Sequence, residues 1–209
     1  MGCMDGKTGL VVGIANDRSY AWFIAESIIR EGGTCLFTHL PGDKMERRAR
    51  KAIESLGVED PWLAPMDAST DESLDEAFAA IAQKTDTLDF LVHSIAFADK
   101  DWLKEGKFTA TPREVFTQAM DISAWTYMAM ANRALPMMSD GGSMLAMSCY
   151  GAEKAVPGYN VMGVAKAALE ATTRYLAMEL GQKNIRVNTI SGGPLRTMSS
   201  MAVGGFSSI

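Results

Sequence analysis

Residues that usually carry metal or redox chemistry are scarce in this chain of 209 residues. It has three cysteines, Cys3, Cys35 and Cys149, and two histidines, His39 and His93. Three scattered thiols build neither a disulfide framework nor a zinc site, and the histidines add no ligand spacing, so no metal is expected. Basic charge is short as well. Lys plus Arg is 20 against 25 for Asp plus Glu, a formal charge of −5, with a pI near 5.1. Nucleic acid is not expected as a ligand, because phosphate neutralisation needs a cationic surface. No apolar run approaches the roughly 18 residues of a membrane span, and no membrane role is expected. The N-terminus has no secretory pattern, and positions 1–6 lack the Ser or Thr of a myristoylation site. A reducing cytoplasm is the expected location.

What is present reads as one α/β domain over 1–209. Hydrophobic residues make up 47% and charged residues 22%, enough apolar material for a sizeable core. Short apolar runs predict strands over 8–14, 34–38, 61–66, 88–93, 142–147 and 185–190. Between them, apolar residues at helical spacing predict helices over 19–31, from Ser69 or Thr70 to 84, over 112–138 and over 159–181, with a charged amphipathic helix over 43–56. Ser19 is placed to cap the first helix and Gly32-Gly33 to stop it. A loop fills 98–111. Strictly alternating strands and helices predict parallel β-α-β units, a doubly wound, Rossmann-like sheet of about six strands. Ligands of such sheets sit at the carboxyl ends of the strands, which directs attention to the loops that follow each strand.

The first of these loops is Gly13-Ile14-Ala15-Asn16-Asp17-Arg18-Ser19. Small residues before a helix N-terminus admit a pyrophosphate to backbone N–H groups, although the turn is not a full Gly-x-Gly-x-x-Gly and also reads as an ordinary strand-to-helix turn. Asp67 after the third strand can accept from an adenine amino group, or cap the next helix. Ser94-Ile95-Ala96 after the fourth strand is small enough to lie against a ribose. After the second strand no Arg or Lys precedes Lys44, which favours NADH over NADPH. The most informative segment is Tyr159-Asn160-Val161-Met162-Gly163-Val164-Ala165-Lys166. Two helical turns place Tyr159 and Lys166 on one face, about 10 Å apart along the axis. A phenol there can meet a reacting carbonyl and the ammonium can meet a nicotinamide ribose, with the cation expected to lower the phenol pKa. The same pair also reads as a half-buried Tyr and a surface Lys.

His93-Ser94-Ile95-Ala96-Phe97-Ala98, the Tyr159-to-Lys166 run and the segment from Arg186 to Thr197 together resemble the bacterial type I, NADH-dependent enoyl-acyl carrier protein reductases. This family is a branch of the short-chain dehydrogenase/reductase superfamily, and its Tyr-x6-Lys spacing replaces the usual Tyr-x3-Lys, with Gly163 standing where the usual Lys would be. The resemblance covers essentially the whole chain. It implies hydride transfer to the β-carbon of a trans-2-enoyl thioester on acyl carrier protein in fatty acid biosynthesis, with Tyr159 at the developing enolate oxygen and Lys166 on the ribose. It further implies that Gly13, Ser19, Tyr20, Asp67, Ala68, Ser94, Ile95, Lys166 and Leu195 line NAD, that Thr197 reaches the pyrophosphate, and that Ala96, Phe97, Cys149, Tyr159 and Met162 border the acyl substrate. A homotetramer is implied as well.

Three features depart from the family pattern. Cys149 stands where an aromatic residue is usual, and the smaller thiol is expected to alter substrate orientation. Phe23 replaces a small Gly on the first helix and is expected to crowd the sheet or fill a gap. Family members also run further, which leaves the sixth strand as an expected unpaired edge. Two other readings stay open. One is a short-chain carbonyl or alcohol dehydrogenase, which would use a Ser shortly before the Tyr; Ser148 lies 11 residues before Tyr159. The other is a non-catalytic dinucleotide-binding protein.

Overall fold

Strands rich in residues buried on both sides form the centre of the molecule. In the computed structural model, which describes residues 2–193, they are β1 (Thr8–Val12), β2 (Thr34–His39), β3 (Leu63–Pro65), β4 (Phe90–His93), β5 (Gly142–Cys149) and β6 (Ile185–Gly192). All pair in parallel in the order β3-β2-β1-β4-β5-β6. The helices are α1 (Tyr20–Arg30), α2 (Asp43–Glu54), α3 (Asp71–Lys84), α4 (Arg113–Met120), α5 (Thr126–Ala134) and α6 (Asn160–Leu180).

Alternation along each strand divides the core in two. Leu10, Val12, Leu36 and Leu91 point to one face and pack with Leu74 and Ile81 of α3, Met130 of α5 and Leu169 of α6. Val11, Cys35, Phe37, Phe90 and Val92 point to the other and pack with Ala21 and Ala25 of α1 and Ile53 of α2. Helices on both faces give the doubly wound sandwich predicted from the pattern. The buried positions of α6 (161, 162, 165, 166, 169, 173, 176 and 180) follow helical spacing, so one side of the helix is buried. β6 buries Ile185 and Val187 while Arg186 and Asn188 stay exposed. Among the described residues it pairs only with β5.

The structure corrects several element boundaries. β3 has only three residues, because Pro61 and Pro65 cannot donate to a ladder and are tolerated at a sheet edge. The helix expected over 112–138 is broken. After α4 the backbone widens into a π-helical turn, Asp121–Trp125, before α5 resumes, and Leu135–Met137 tightens to 3₁₀ around Pro136. Hydroxyl groups compete with the helical ladder at the break: Thr126 Oγ1 donates to Ile122 O at 2.7 Å, and the Ser123 hydroxyl leaves the helix for Phe97. Phe23 neither crowds the sheet nor fills a gap. It is 43% exposed and stacks edge-on against Trp22.

Candidate active site

The strand order reverses between β1 and β4, and the carboxyl ends of those strands open the crevice where ligands of such sheets sit. Gly13 makes that crevice possible. Its φ is +103°, and a Cβ there would lie 2.1 Å from Ser94 O and 3.1 Å from Ile95 Cγ2. Only glycine lets the end of β1 pass so close to the end of β4, and the contact brings Gly13, Ser94 and Ile95 together. Ser19 is the N-cap residue of α1, but its hydroxyl does not cap the helix. It donates to Asn16 O at 2.7 Å instead. The first turn of α1 therefore has no side-chain cap and no acidic residue, which leaves its positive dipole end suited to an anion.

Tyr20 ties the start of α1 to the end of β6. Its phenol donates to Gly193 O, and a Cβ at Gly192 would sit 2.9 Å from its ring. At the end of β3, the Asp67 carboxylate accepts from both the N–H (2.9 Å) and the hydroxyl (2.7 Å) of Ser69, which holds its pKa below the usual range. Thr70, not Asp67, caps α3. Ala68 is buried in the main core, so only its backbone can meet a ligand.

Tyr159 and Lys166 converge on the end of β5. The Cys149 thiol donates to Tyr159 Oη at 3.1 Å, and Lys166 Nζ donates to Met147 O at 2.6 Å. The regular helical spacing expected from sequence is not what aligns them. Tyr159 precedes α6 as its N-cap residue, and Asn160, between Tyr159 and the helix body, has a left-handed φ of +43°. The expected lowering of the phenol pKa is also reversed. Burial, then Cys149 and Tyr20, push Tyr159 upward, so the phenol keeps its proton and can serve as a donor. Lys166 is pushed down to about 8 by burial, opposed by Cys149, and is still mainly an ammonium at pH 7.

His93, fully buried at the end of β4, is pushed down to about 3 by burial and by Lys166, and is neutral. Thr126 Oγ1 gives its only proton to Ile122 O, so it must accept from His93 Nε2–H at 2.8 Å. Ala96 and Phe97 are exposed just beyond this point, whereas Met162 is buried in a small cluster with Leu103, Ala119 and Val161 that Tyr159 packs against. Leu195 and Thr197 lie outside the described residues. Among the described residues no group of three or more His, Cys, Asp or Glu could hold a metal ion.

Comparison with known proteins decides the family. A family model described as enoyl-(acyl carrier protein) reductase matches residues 13–209. The chain is 45% identical over 206 residues to the enoyl-acyl carrier protein reductase (NADH) 1 of Rhizobium meliloti, covering 98% of this chain and 74% of that protein. It is 44% identical to the NADH enzyme of Bacillus cereus, covering all of this chain and 81% of that one. The chain belongs to the enoyl-acyl carrier protein reductases. The crystal structure of a Bacillus cereus enoyl-acyl carrier protein reductase with NADP+ and indole naphthyridinone superposes with a TM-score of 0.94 at 44% identity, over 100% of this chain and 80% of that one. The Anaplasma phagocytophilum enzyme, solved with NAD, gives 0.86 at 46%, over 91% and 72%.

Among the described residues the Ser148 hydroxyl makes no hydrogen bond to the Tyr159 phenol, which bonds Cys149 instead. Ser148 is buried and donates to Glu170 on α6, which removes the geometric support for a carbonyl-dehydrogenase serine. Two residues escaped sequence reasoning, Ser123 and Asn160. A Ser inside a long apolar period and an Asn directly after a candidate Tyr were the available signals.

Proposed function

We propose that this chain, as one domain over 1–209, catalyses the NADH-dependent reduction of a trans-2-enoyl thioester on acyl carrier protein to the saturated acyl thioester, a step of fatty acid biosynthesis. The observation that carries the proposal is the convergence of a half-buried, protonated phenol and a buried ammonium on the end of β5, two strands from β1.

The residues present fit a dinucleotide. The Gly13 crossing and the uncapped start of α1, with Ser19 and Tyr20, would receive the pyrophosphate. Asp67, with the Ala68 backbone, stands two strands from β1, about 10 Å away, where the adenine end of an extended cofactor would reach. Its carboxylate keeps Oδ2 for the amino group. Ser94, Ile95 and Lys166 would meet the nicotinamide ribose, and Leu195 and Thr197 are assigned to the same cofactor by family likeness. The segment after β2 offers His39, Leu40 and Pro41 and no cation before Lys44, in keeping with NADH.

Bound NADH supplies the hydride that adds to the β-carbon of the enoyl thioester. As that bond forms, negative charge moves to the thioester oxygen. Tyr159 donates its O–H to that charge, an interaction stronger in the transition state than in the ground state. The Cys149 S–H donates into the phenol oxygen, so the phenol O–H is left to point at substrate. Ala96 and Phe97 provide exposed apolar surface for the acyl chain, with Met162 packed in the cluster that Tyr159 lies against. A proton from solvent completes the saturated product at the α-carbon.

A homo-oligomer, a tetramer by family likeness, is part of the same proposal. Phe116, Trp125 and Met128 around α4 and α5, and Tyr175 and Met178 on α6, are exposed apolar residues of the kind that subunit contacts cover. No described helix is long and apolar enough to cross a membrane. A cytoplasmic location accords with this.

Following NADH absorbance with a crotonyl thioester and then with a panel of ketones tests the reading. Consumption with the thioester alone is expected. Consumption with ketones, or with neither while NADH still binds, would contradict it.

A further inference from the structure

Segment 97–104 runs from the exposed Phe97 to the catalytic end of α6, and two side chains hold it from opposite ends. Ser123, fully buried in the π-helical turn, uses one hydroxyl twice on one residue. It accepts from Phe97 N–H at 3.0 Å and donates to Phe97 O at 3.1 Å. Asn160, the neighbour of Tyr159, gives its amide Nδ2 to Trp102 O and Lys104 O, each at 2.7 Å. Both amide hydrogens are therefore engaged with one loop. Its left-handed φ of +43° aims that amide at the loop, a conformation Asn tolerates better than most residues.

Between the two anchors Leu103 is buried and packs in the cluster with Ala119, Val161 and Met162, against which Ala98 and Tyr159 also lie. The loop, the start of α6 and the phenol thus share one packed unit. A phenol stabilises a developing oxygen only within hydrogen-bond reach, and slack of about an ångström between it and the wall that seats the acyl chain forfeits much of that effect. Neither Ser123 nor Asn160 is placed among the groups assigned to substrate or cofactor.

We propose that Ser123 and Asn160 are positioning residues that keep the acyl-facing wall 97–104 in register with the Tyr159 phenol. The proposal rests on the reading of Tyr159 as the donor to the thioester oxygen. The cofactor contacts assigned to Gly13 and Asp67 lie on other loops, and Ser94, which precedes the anchored segment on the same loop, is held by its own N–H to Val12 O at 3.0 Å, so loss of the anchors should spare NADH.

Three variants of the full chain test it: Ser123→Ala, Asn160→Asp and Asn160→Gly. The Asp variant is nearly isosteric but turns acceptors toward two carbonyls. The Gly variant relaxes the backbone and deletes the amide, so a role limited to easing the helix start would leave it as active as the parent. For each, kinetics with a crotonyl thioester, NADH titration and amide hydrogen exchange over 97–104 are measured. Expected results are a roughly tenfold fall in kcat/KM for the thioester, the scale of one or two lost hydrogen bonds, NADH affinity within about twofold, and faster exchange over 97–104. If Asn160→Asp does not fold, Asn160→Gly and Ser123→Ala decide. Parent-like kcat/KM in those two, or a fall explained by lost NADH affinity, overturns the proposal. An unmodified chain inactive on the thioester overturns the assigned reaction instead, and unchanged exchange over 97–104 in the variants then overturns the anchoring separately.

Discussion

Replacing Lys166 with Met separates the two effects of its ammonium. Burial holds the Lys166 pKa at about 8 instead of 10.5. At about 1.36 kcal/mol per unit, that difference is about 3 kcal/mol by which the folded chain disfavours the proton relative to the unfolded chain. Between pH 8 and 10.5 the unfolded chain still binds this proton while the folded chain has released it, so the Lys166 contribution to stability rises with pH across that window. Other buried groups act in the opposite direction. The Cys35 thiol is pushed up to about 12, and the Tyr127 and Tyr159 phenols are raised, all mainly by burial. Each keeps a proton in the folded chain that the unfolded chain loses, so their contributions fall as pH climbs through the same alkaline range. Subtracting the Lys166→Met curve from the parent curve cancels those shared terms. Urea unfolding across this range should show the difference moving in the parent's favour by about 3 kcal/mol. Near pH 7 the two chains should differ little, because relief of ammonium desolvation is offset by orphaning Met147 O, about 1–3 kcal/mol. NADH titration near pH 7 should show affinity at least roughly tenfold weaker. A flat difference curve, or unchanged NADH affinity, would refute the reasoning.

Gly13→Ala places a Cβ at 2.1 Å from Ser94 O with φ at +103°; stability should drop by more than about 3 kcal/mol in thermal or urea unfolding, and a parent-like melting curve would contradict the close crossing. Cys149→Ala removes the thiol that donates to Tyr159; kcat with a crotonyl thioester should fall roughly threefold to tenfold, while Cys149→Ser, which keeps a donor, should retain most of it. Asp67→Ala should weaken NADH binding about fivefold with little change in kcat at saturating cofactor; an unaltered Kd would remove Asp67 from the cofactor site.

Much of the fold was legible because the sheet is parallel and buried on both faces. Runs such as Leu10-Val11-Val12 and Phe90-Leu91-Val92 announce strands whose neighbours lie on either side, and β-α-β chirality leaves few ways to order them. The break between α4 and α5 was not legible. Its apolar period continues through 121–125, and the reason for the π-helical turn is a tertiary bond from Ser123 to Phe97, 26 positions away. Tyr159 and Lys166 were singled out from their spacing, but Tyr159 stands at the N-cap of α6 and not within the regular helix that the spacing assumed. A left-handed Asn160 follows Tyr159 at the helix start, both side chains bond at the end of β5, and burial, then Cys149 and Tyr20, raises the phenol pKa. Cys149 was noted as a departure in size. That its thiol would bond to the phenol depends on the course of 150–158, which no local pattern specifies.

The decisive measurement is the effect of Tyr159→Phe on turnover and on cofactor affinity in the same preparation. With a crotonyl thioester and saturating NADH, kcat should fall roughly 100-fold or more, the scale of losing a donor aimed at developing charge, while the NADH Kd stays within about twofold. Equal losses in both quantities, or parent-like turnover, would contradict the placement of the phenol at the reacting oxygen.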